Sequence, residues 1–255
     1  MKLRKIKNVI ENTFNIEIRR KVKNKGRTPS LFINEAINFE KEVIFIAIPK
    51  TGTTTVRTQL KQLGIPLIKS FHLDISQVKD LIYLYMLKEN LGTNKTFPIG
   101  NILSDQELRQ KAEEIFKSFF KFSAVRNPWA RAVSLYHRGE AIRLKNRMTF
   151  DEFCDNHKYA SDTCSQPTLH KNQLDWLTNN NGQLLTDFVY KVEEYDKAID
   201  VIRDRTNGKL ILDKIKLNKN PNSMSSNYRK MYNDRTRKLI EKRFEKDIDF
   251  FKYTF

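Results

Sequence analysis

The feature that most constrains this chain is a continuous apolar segment, Val43–Ile48, followed at once by a short polar turn. A strand that is apolar without alternation has to be covered on both faces, as happens to parallel strands inside an α/β sheet. Residues 54–63 then have a helical pattern that ends before Gly64. We therefore expect a strand–turn–helix unit of an α/β domain.

Predicted strands and helices alternate through the first two thirds of the sequence. The 255 residues and 39% hydrophobic content allow one large domain or two small ones. The alternation predicts an α/β fold, a P-loop-like parallel sheet flanked by helices. Strands are predicted at 43–48, 66–71, 121–125 and 187–193, and helices at 54–63, 76–89, 104–119, 129–144, about 194–203 and 234–247.

The turn at residues 50–55, Lys-Thr-Gly-Thr-Thr-Thr, has the composition of an anion-binding site. Backbone N–H groups at a helix N-terminus lack internal partners, and the helix dipole adds partial positive charge there. Gly52 lets the backbone approach a ligand, Lys50 adds a full charge, and the hydroxyls of Thr53–Thr55 are further donors. The alternative is an ordinary strand-to-helix connection with a threonine cap and a solvated lysine.

This turn is not a Walker A loop, in which the lysine follows the second glycine and reaches the β/γ-phosphates. Lys50 precedes Gly52, and no apolar strand ends in an aspartate that could hold Mg²⁺. An ATP-hydrolysing magnesium site is therefore disfavoured. A P-loop kinase-like phosphotransferase stays as an alternative hypothesis.

A second strand, 121–125, ends in the same way, with Arg126 before a helix that Asn127 caps. Arg131 and Ser134 lie about one and two turns into this helix. A guanidinium at the strand end and a helix hydroxyl could both reach one phosphate, to which arginine makes forked contacts. The alternative is a structural arginine–carboxylate pair beside an ordinary helix serine.

The two segments PKTGTTTV (49–56) and VRNPWARAVSLY (125–136) together resemble a known pair of motifs. They are similar to the 5′-phosphosulfate loop and the RxPxxRxxSxY motif of sulfotransferases that use 3′-phosphoadenosine 5′-phosphosulfate (PAPS). The resemblance is greatest to the carbohydrate sulfotransferases of the family 2 type, whose later segments match HKNQLDWL, DFVYKVEEYDKAIDVI and FEKDIDFFKYTF in the same order. It covers about residues 43–255. We expect a basic N-terminal segment at 1–40 and a single domain with the sulfotransferase fold at 41–255.

The resemblance implies a reaction and a donor site. The chain would transfer a sulfuryl group from PAPS, its co-substrate, to a hydroxyl of a glycan, polysaccharide or glycolipid precursor, without a metal. Arg126 and Ser134 would bind the 3′-phosphate, and Lys50 would also act in catalysis. Lys191 departs from the family pattern, which often has arginine before the glutamate that follows this strand. The 5′-phosphosulfate would be held by Lys50, Thr51, Gly52, Thr53, Thr54 and Thr55.

The acceptor hydroxyl of such a reaction needs a general base. His72 follows a predicted strand and is expected at the same sheet edge as the first turn. Its alternative role is that of a packing or surface histidine. His170 is a second candidate, whereas His137 is expected to be structural, and a carboxylate such as Asp105 is a further alternative.

The net charge of +17 predicts an anionic partner. A nucleotide donor fits this charge, and so do nucleic acid and a membrane surface. The basic residues are spread widely and form no RNA- or DNA-binding signature, so no nucleic-acid partner is expected. A basic nucleic-acid-binding protein and a non-catalytic scaffold stay as alternative hypotheses.

The remaining features bear on location. The N-terminus has ten Lys/Arg among residues 1–29 and places Leu3, Ile6 and Phe14 on one helical face. This pattern predicts either peripheral contact with the inner membrane face or a small helix packed on the domain. No signal peptide or membrane span is predicted, so we expect a cytoplasmic protein. Cys154 and Cys164 match no zinc or redox spacing and are expected to be free thiols.

Overall fold

The computed structural model has a central four-stranded sheet. In spatial order its strands are β2 (Ile37–Asn38), β3 (Val43–Ile46), β5 (Phe120–Val125) and β6 (Phe188–Lys191). A separate two-stranded sheet pairs β1 (Leu31–Phe32) with β4 (Ile65–Pro66). The structure describes residues 31–60, 62, 64–90, 103–137, 148–155, 171–214 and 224–255.

Three strands of the central sheet run parallel, and their carboxyl ends lie at one edge. β5 lies in the middle and pairs in parallel with β3 and with β6, while β2 pairs antiparallel with β3. In this register Ile46 lies opposite Ser123, and Val125 lies opposite Lys191. The turns that follow β3 and β5 are therefore neighbours in space, where α/β sheets bind ligands.

Helices follow the strands and complete the α/β architecture. They are α1 (Thr53–Gln59), α2 (Ile75–Asn90), α3 (Asp105–Ser118), α4 (Pro128–Tyr136), α5 (Phe150–Asp155), α6 (Tyr195–Arg205), α7 (Asp234–Arg243) and α8 (Glu245–Phe251). Short 3-10 helices occur at Leu174–Trp176, Val192–Glu194 and Met224–Met231.

Apolar side chains cover both faces of the sheet, as the unbroken apolar segment predicts. Ile44 and Ile46 are buried in one cluster with residues of α2, α3 and α4. Val43 and Phe45 are buried in the other cluster with residues of α1 and α6. The predicted fold, a parallel sheet flanked by helices, is confirmed.

The helix starts predicted at Ser104 and after Asn127 are also confirmed. Ser104 and Glu107 form a reciprocal capping box at α3. The Asn127 side chain accepts hydrogen bonds from the first turn of α4, which begins at Pro128. Glu152 N donates to Thr149 Oγ1 at 3.2 Å, and Thr149 N donates to Glu152 Oε2 at 2.6 Å. These caps satisfy backbone donors that a helix N-terminus leaves without partners.

The predicted strand at 66–71 is wrong. Only Ile65–Pro66 is a strand, and it pairs with β1 outside the central sheet. Leu67 N and Ile68 N donate to Phe32 O at 2.9 Å and Ile33 O at 3.1 Å, so this segment follows the chain after β1. Proline lacks the N–H that a central strand needs, which confines this segment to an edge position.

The predicted continuous helix at 234–247 is also wrong. The chain leaves helical geometry at Phe244, with φ −112° and ψ 29°, and this residue separates α7 from α8. Phe244 is 2% exposed. The last helix begins again at Glu245, and Asp247 on it is 0% exposed.

Several predictions fall partly or wholly outside the described residues. They concern the segment 1–30, the end of the helix predicted at 129–144, and the side chains of His170 and Cys164. Residues Leu31–Phe255 form one compact unit. Among the described residues, none of the helices has both the length and the hydropathy of a membrane span.

Candidate active site

The first turn leaves β3 through two left-handed residues. Lys50 has φ 68° and Gly52 has φ 74°. Gly52 is the N-cap of α1, and no side chain caps this helix within the described residues. Thr55 N already donates to Gly52 O at 3.1 Å, so the N–H groups that this uncapped helix start can offer an anion are those before Thr55.

The threonines of this turn occupy different positions. Thr51 is 1% exposed, and its hydroxyl donates to Ile48 O at 3.0 Å, which stabilises the turn itself. Thr53 and Thr55 are buried, whereas Thr54 is exposed. The Thr51 hydroxyl is therefore engaged within the protein, and the contribution of Thr51 to an anion site would come from its backbone N–H.

Gly52 lies against the segment that follows β6. A Cβ atom built on Gly52 would lie 2.8 Å from Val192 Cγ2, closer than two carbon atoms pack. The positive φ of Gly52 also disfavours any side chain. The position therefore needs glycine for two reasons, and the turn is held close to the neighbouring strand end.

The second turn meets the first turn directly. Arg126 follows β5, and its Nη1 donates to Lys50 O at 3.3 Å. Asn127 N donates to Glu193 Oε1 at 3.1 Å, and Asn127 Nδ2 donates to Thr254 O at 2.8 Å. The ends of β5 and β6 and the C-terminal residues thus hold the arginine turn beside the lysine turn.

Arg131 of α4 contacts the residue before the first turn from inside the domain. It is 1% exposed, its Nε donates to Pro49 O at 3.0 Å, and its Nη1 donates to Lys171 O at 3.4 Å. Its Nη2 has no hydrogen-bond partner among the described residues. Burial lowers the pKa of Arg131 to about 10, although the charge of Asp247 opposes this effect.

Positive charge is concentrated at this edge of the sheet. Burial also lowers the pKa of Arg126, and the nearby carboxylate of Glu193 opposes the shift. Lys191 Nζ lies 4.7 Å from the centre of the Tyr253 ring. The lysine that stands in place of the expected arginine therefore makes a cation–π contact. Desolvated cations attract an anion more strongly than solvated ones, because low dielectric strengthens the interaction.

Ser134 lies two turns into α4 and is partly exposed. No described residue hydrogen-bonds its hydroxyl, so this group is available to a ligand near the helix. Arg126 lies at the strand end, and the binding of one phosphate by Arg126 and Ser134 stays a prediction.

His72 lies at the carboxyl end of β3, as predicted, although the strand expected before it is absent. Its Nδ1 lies 2.5 Å from Ala47 O. A carbonyl oxygen only accepts hydrogen bonds, so Nδ1 carries the proton and Nε2 is the basic nitrogen of the neutral ring. The ring also packs on Phe71, with centroids 4.2 Å apart.

The other base candidates differ from His72. Asp105 is exposed and accepts hydrogen bonds from Tyr83 and Arg109, and these contacts lower its pKa. A carboxylate with a lowered pKa is a weaker base. His137 caps the carboxyl end of α4, which agrees with a structural role. His170 is outside the described residues.

Two buried polar residues support the site and were not predicted to have a role in it. Gln173 contacts the backbone of Arg126, and Asp247 contacts Gln173. Burial raises the pKa of Asp247, while N–H donors from Gln173 and Leu174 oppose this shift. The sequence did contain a signal for Asp247, because it shares an apolar helical face with Ile240 and Phe244.

Comparison with known proteins gives one family. The model of the sulfotransferase family, of the family 2 type, matches residues 36–254. The match includes both turns, the helix that carries Ser134, and the segments that contain Gln173 and Asp247. No curated protein and no solved structure matches the chain significantly.

Proposed function

Because this chain belongs to the sulfotransferase family, we propose that it transfers a sulfuryl group from PAPS to a hydroxyl group of a carbohydrate acceptor. The acceptor class is a glycan, a polysaccharide or a glycolipid precursor. The family supports sulfuryl transfer in general. The donor and the acceptor class are our proposal, based on the residues at the carboxyl edge of the sheet.

The observation that carries the proposal is the contact between the two turns. Arg126 Nη1 lies 3.3 Å from Lys50 O, although the two residues are 76 positions apart. A donor with a 5′-phosphosulfate and a 3′-phosphate needs two cationic sites at the distance of one nucleotide. Lys50 with the N-terminus of α1 would bind the first group, and Arg126 with Ser134 would bind the second.

The residues of the first turn suit the chemistry of sulfuryl transfer. As the S–O bond to the 5′-phosphate breaks, negative charge grows on the bridging oxygen. The Lys50 ammonium and the backbone N–H groups of residues 51–54 would stabilise this charge more in the transition state than in the ground state. The leaving group is adenosine 3′,5′-bisphosphate, and the displacement is in line, as in phosphoryl transfer.

His72 is the base in this proposal. The acceptor hydroxyl attacks the sulfur atom, and its proton passes to His72 Nε2 as the new O–S bond forms. The hydrogen bond between Nδ1 and Ala47 O would keep the ring in the tautomer that this step requires. Ala47, the partner in this contact, precedes Lys50 by three residues.

Donor binding is the first test of the proposal. A ligand at about 100 times its Kd stabilises the native state by about 2.7 kcal/mol. For a chain of this size that corresponds to an increase in Tm of roughly 5–10 °C. We expect adenosine 3′,5′-bisphosphate to raise Tm by this amount and ATP with Mg²⁺ to raise it much less. Equal or stronger protection by ATP would instead favour the kinase-like alternative.

Transfer itself is the second test. The protein is incubated with labelled PAPS and a panel of glycans, polysaccharides, glycolipid precursors and non-carbohydrate hydroxyl compounds, and products are read by mass shift. We expect a sulfated product from at least one carbohydrate acceptor. Donor protection without a product from any acceptor of the panel, including non-carbohydrate hydroxyl compounds, would favour a scaffold without activity.

A further inference from the structure

Gln173 is a buried amide that holds the backbone of Arg126 on both sides. It is 0% exposed. Its Oε1 accepts from Arg126 N at 2.8 Å, and its Nε2 donates to Arg126 O at 2.8 Å. A neighbouring β-strand would make the same pair of contacts, and β5 ends at Val125. Gln173 therefore continues the hydrogen bonding of the sheet by one residue.

Asp247 fixes the Gln173 amide in turn. Its carboxylate is 0% exposed and accepts from Gln173 N at 2.8 Å, Leu174 N at 2.9 Å and Gln173 Nε2 at 3.2 Å. An ionised carboxylate only accepts hydrogen bonds, so Nε2 has to face Asp247 and Oε1 has to face Arg126 N. The three donors offset the large cost of burying the carboxylate.

We infer that Gln173 and Asp247 are positioning residues for the recognition of the 3′-phosphate, which they support by holding Arg126 at the end of β5. This inference rests on the proposed function, because it assumes that Arg126 binds the 3′-phosphate of the donor. Fixing the backbone of Arg126 leaves only its side chain to be ordered when the ligand binds. Pre-organisation of this kind increases affinity by reducing the entropy lost on binding.

The positioning role predicts different effects on the binding of the 3′-phosphate and of the 5′-phosphate. The Gln173 side chain hydrogen-bonds the backbone of Arg126, and the Asp247 carboxylate accepts from Gln173 and from Leu174 N. Loss of Gln173 should therefore weaken binding of the 3′-phosphate and leave binding of the 5′-phosphate largely unchanged. A residue that only stabilised the fold would weaken both to the same extent.

The test compares adenosine 3′,5′-bisphosphate with adenosine 5′-monophosphate, using titration calorimetry on the full chain. The measured quantity is the ratio of the two dissociation constants. Charge-assisted contacts to a phosphate predict a wild-type ratio of about 10–100 in favour of the bisphosphate. In Gln173→Met, which keeps the side-chain volume, we expect the ratio to fall by about tenfold while the monophosphate affinity changes little.

A double-variant cycle tests whether Gln173 acts through Arg126. In the Arg126→Ala background, Gln173→Met should produce no further change in the ratio. A further decrease there would show that Gln173 affects the 3′-phosphate by another route and would overturn the inference. Should Gln173→Met fail to fold, Asp247→Asn removes one acceptor and leaves Gln173 in place, and we expect a smaller decrease in the same ratio.

The control variant is Thr206→Val, which is isosteric and lies at the other end of the sheet. Thr206 is buried, and its hydroxyl donates to Ile202 O at 2.8 Å. The neighbouring Lys209 forms an ion pair with Glu42, just before β3 begins. Thr206→Val should lower Tm without changing the ratio.

The two hypotheses fail in different ways. A wild-type ratio near one would contradict the proposed function, because no 3′-phosphate site would exist. A high wild-type ratio that stays unchanged in Gln173→Met, or in Asp247→Asn if only that variant folds, would overturn the positioning role and leave the proposed function in place.

Discussion

Gly52→Ala tests the close packing of the two turns through stability. At φ 74° an alanine costs about 1–2 kcal/mol relative to a right-handed conformation. The lower entropy of the unfolded alanine chain returns about 0.4–1 kcal/mol of this cost. The Cβ atom would lie 2.8 Å from Val192 Cγ2, and relief of such an overlap typically costs about 1–3 kcal/mol. We expect a total loss of about 1.5–4 kcal/mol.

Gly208→Ala is the matched control for this variant. Gly208 has φ 75°, and a Cβ atom there would have no neighbour within 4 Å. It therefore carries the backbone cost alone, which is about 0.5–1 kcal/mol after the unfolded-state term. The difference between the two variants isolates the contact with Val192.

The assay is urea unfolding followed by the fluorescence of Trp129 and Trp176, both of which are buried. We expect the free energy of unfolding to fall by about 1–3 kcal/mol more in Gly52→Ala than in Gly208→Ala. Binding of adenosine 3′,5′-bisphosphate should weaken only in Gly52→Ala, because the overlap displaces the first turn. Equal losses of stability in the two variants would refute the close approach of the turn to Val192.

Three further substitutions separate catalysis from stability. Lys50→Ala should reduce the rate of sulfuryl transfer by about 10²–10³ with the urea midpoint unchanged, and retained turnover would remove Lys50 from the mechanism. His72→Asn keeps an N–H toward Ala47 O but has no basic nitrogen. The rate of sulfuryl transfer should therefore fall by about 10²–10⁴ while donor affinity is retained. A rate near that of the wild type would point to another base. Lys121 is buried and donates to Phe116 O at 3.1 Å and Phe119 O at 2.7 Å. Lys121→Met should therefore lower the free energy of unfolding by about 1–3 kcal/mol without changing the affinity for the nucleotide donor. Weaker donor binding in this variant would contradict the separation of Lys121 from the site.

Local patterns in the sequence predicted most of the sheet and both turns. The unbroken apolar segment that begins at Val43 predicted a strand buried on both faces. Asn127 and Pro128 predicted the start of α4. These signals depend on neighbouring residues only. They placed Lys50 and Arg126 at equivalent strand ends, and the register of β3 and β5 then brought the two turns together.

The parts that the sequence did not predict depend on contacts between distant residues. The segment after Pro66 has strand-like residues, but its hydrogen bonds go to the chain after β1. The helix breaks at Phe244, a core residue, although residues 234–247 have good helical propensity. Gln173 lies 47 positions from Arg126 and 74 from Asp247, so no local pattern could reveal that pairing.

A crystal structure with adenosine 3′,5′-bisphosphate would test the central claim most directly. We predict the 5′-phosphate within about 2.7–3.2 Å of the backbone N–H groups of residues 51–54, beside Lys50, and the 3′-phosphate at the same distance from Arg126 and Ser134. A nucleotide bound elsewhere, or a 3′-phosphate that projects into solvent away from Arg126, would contradict the account.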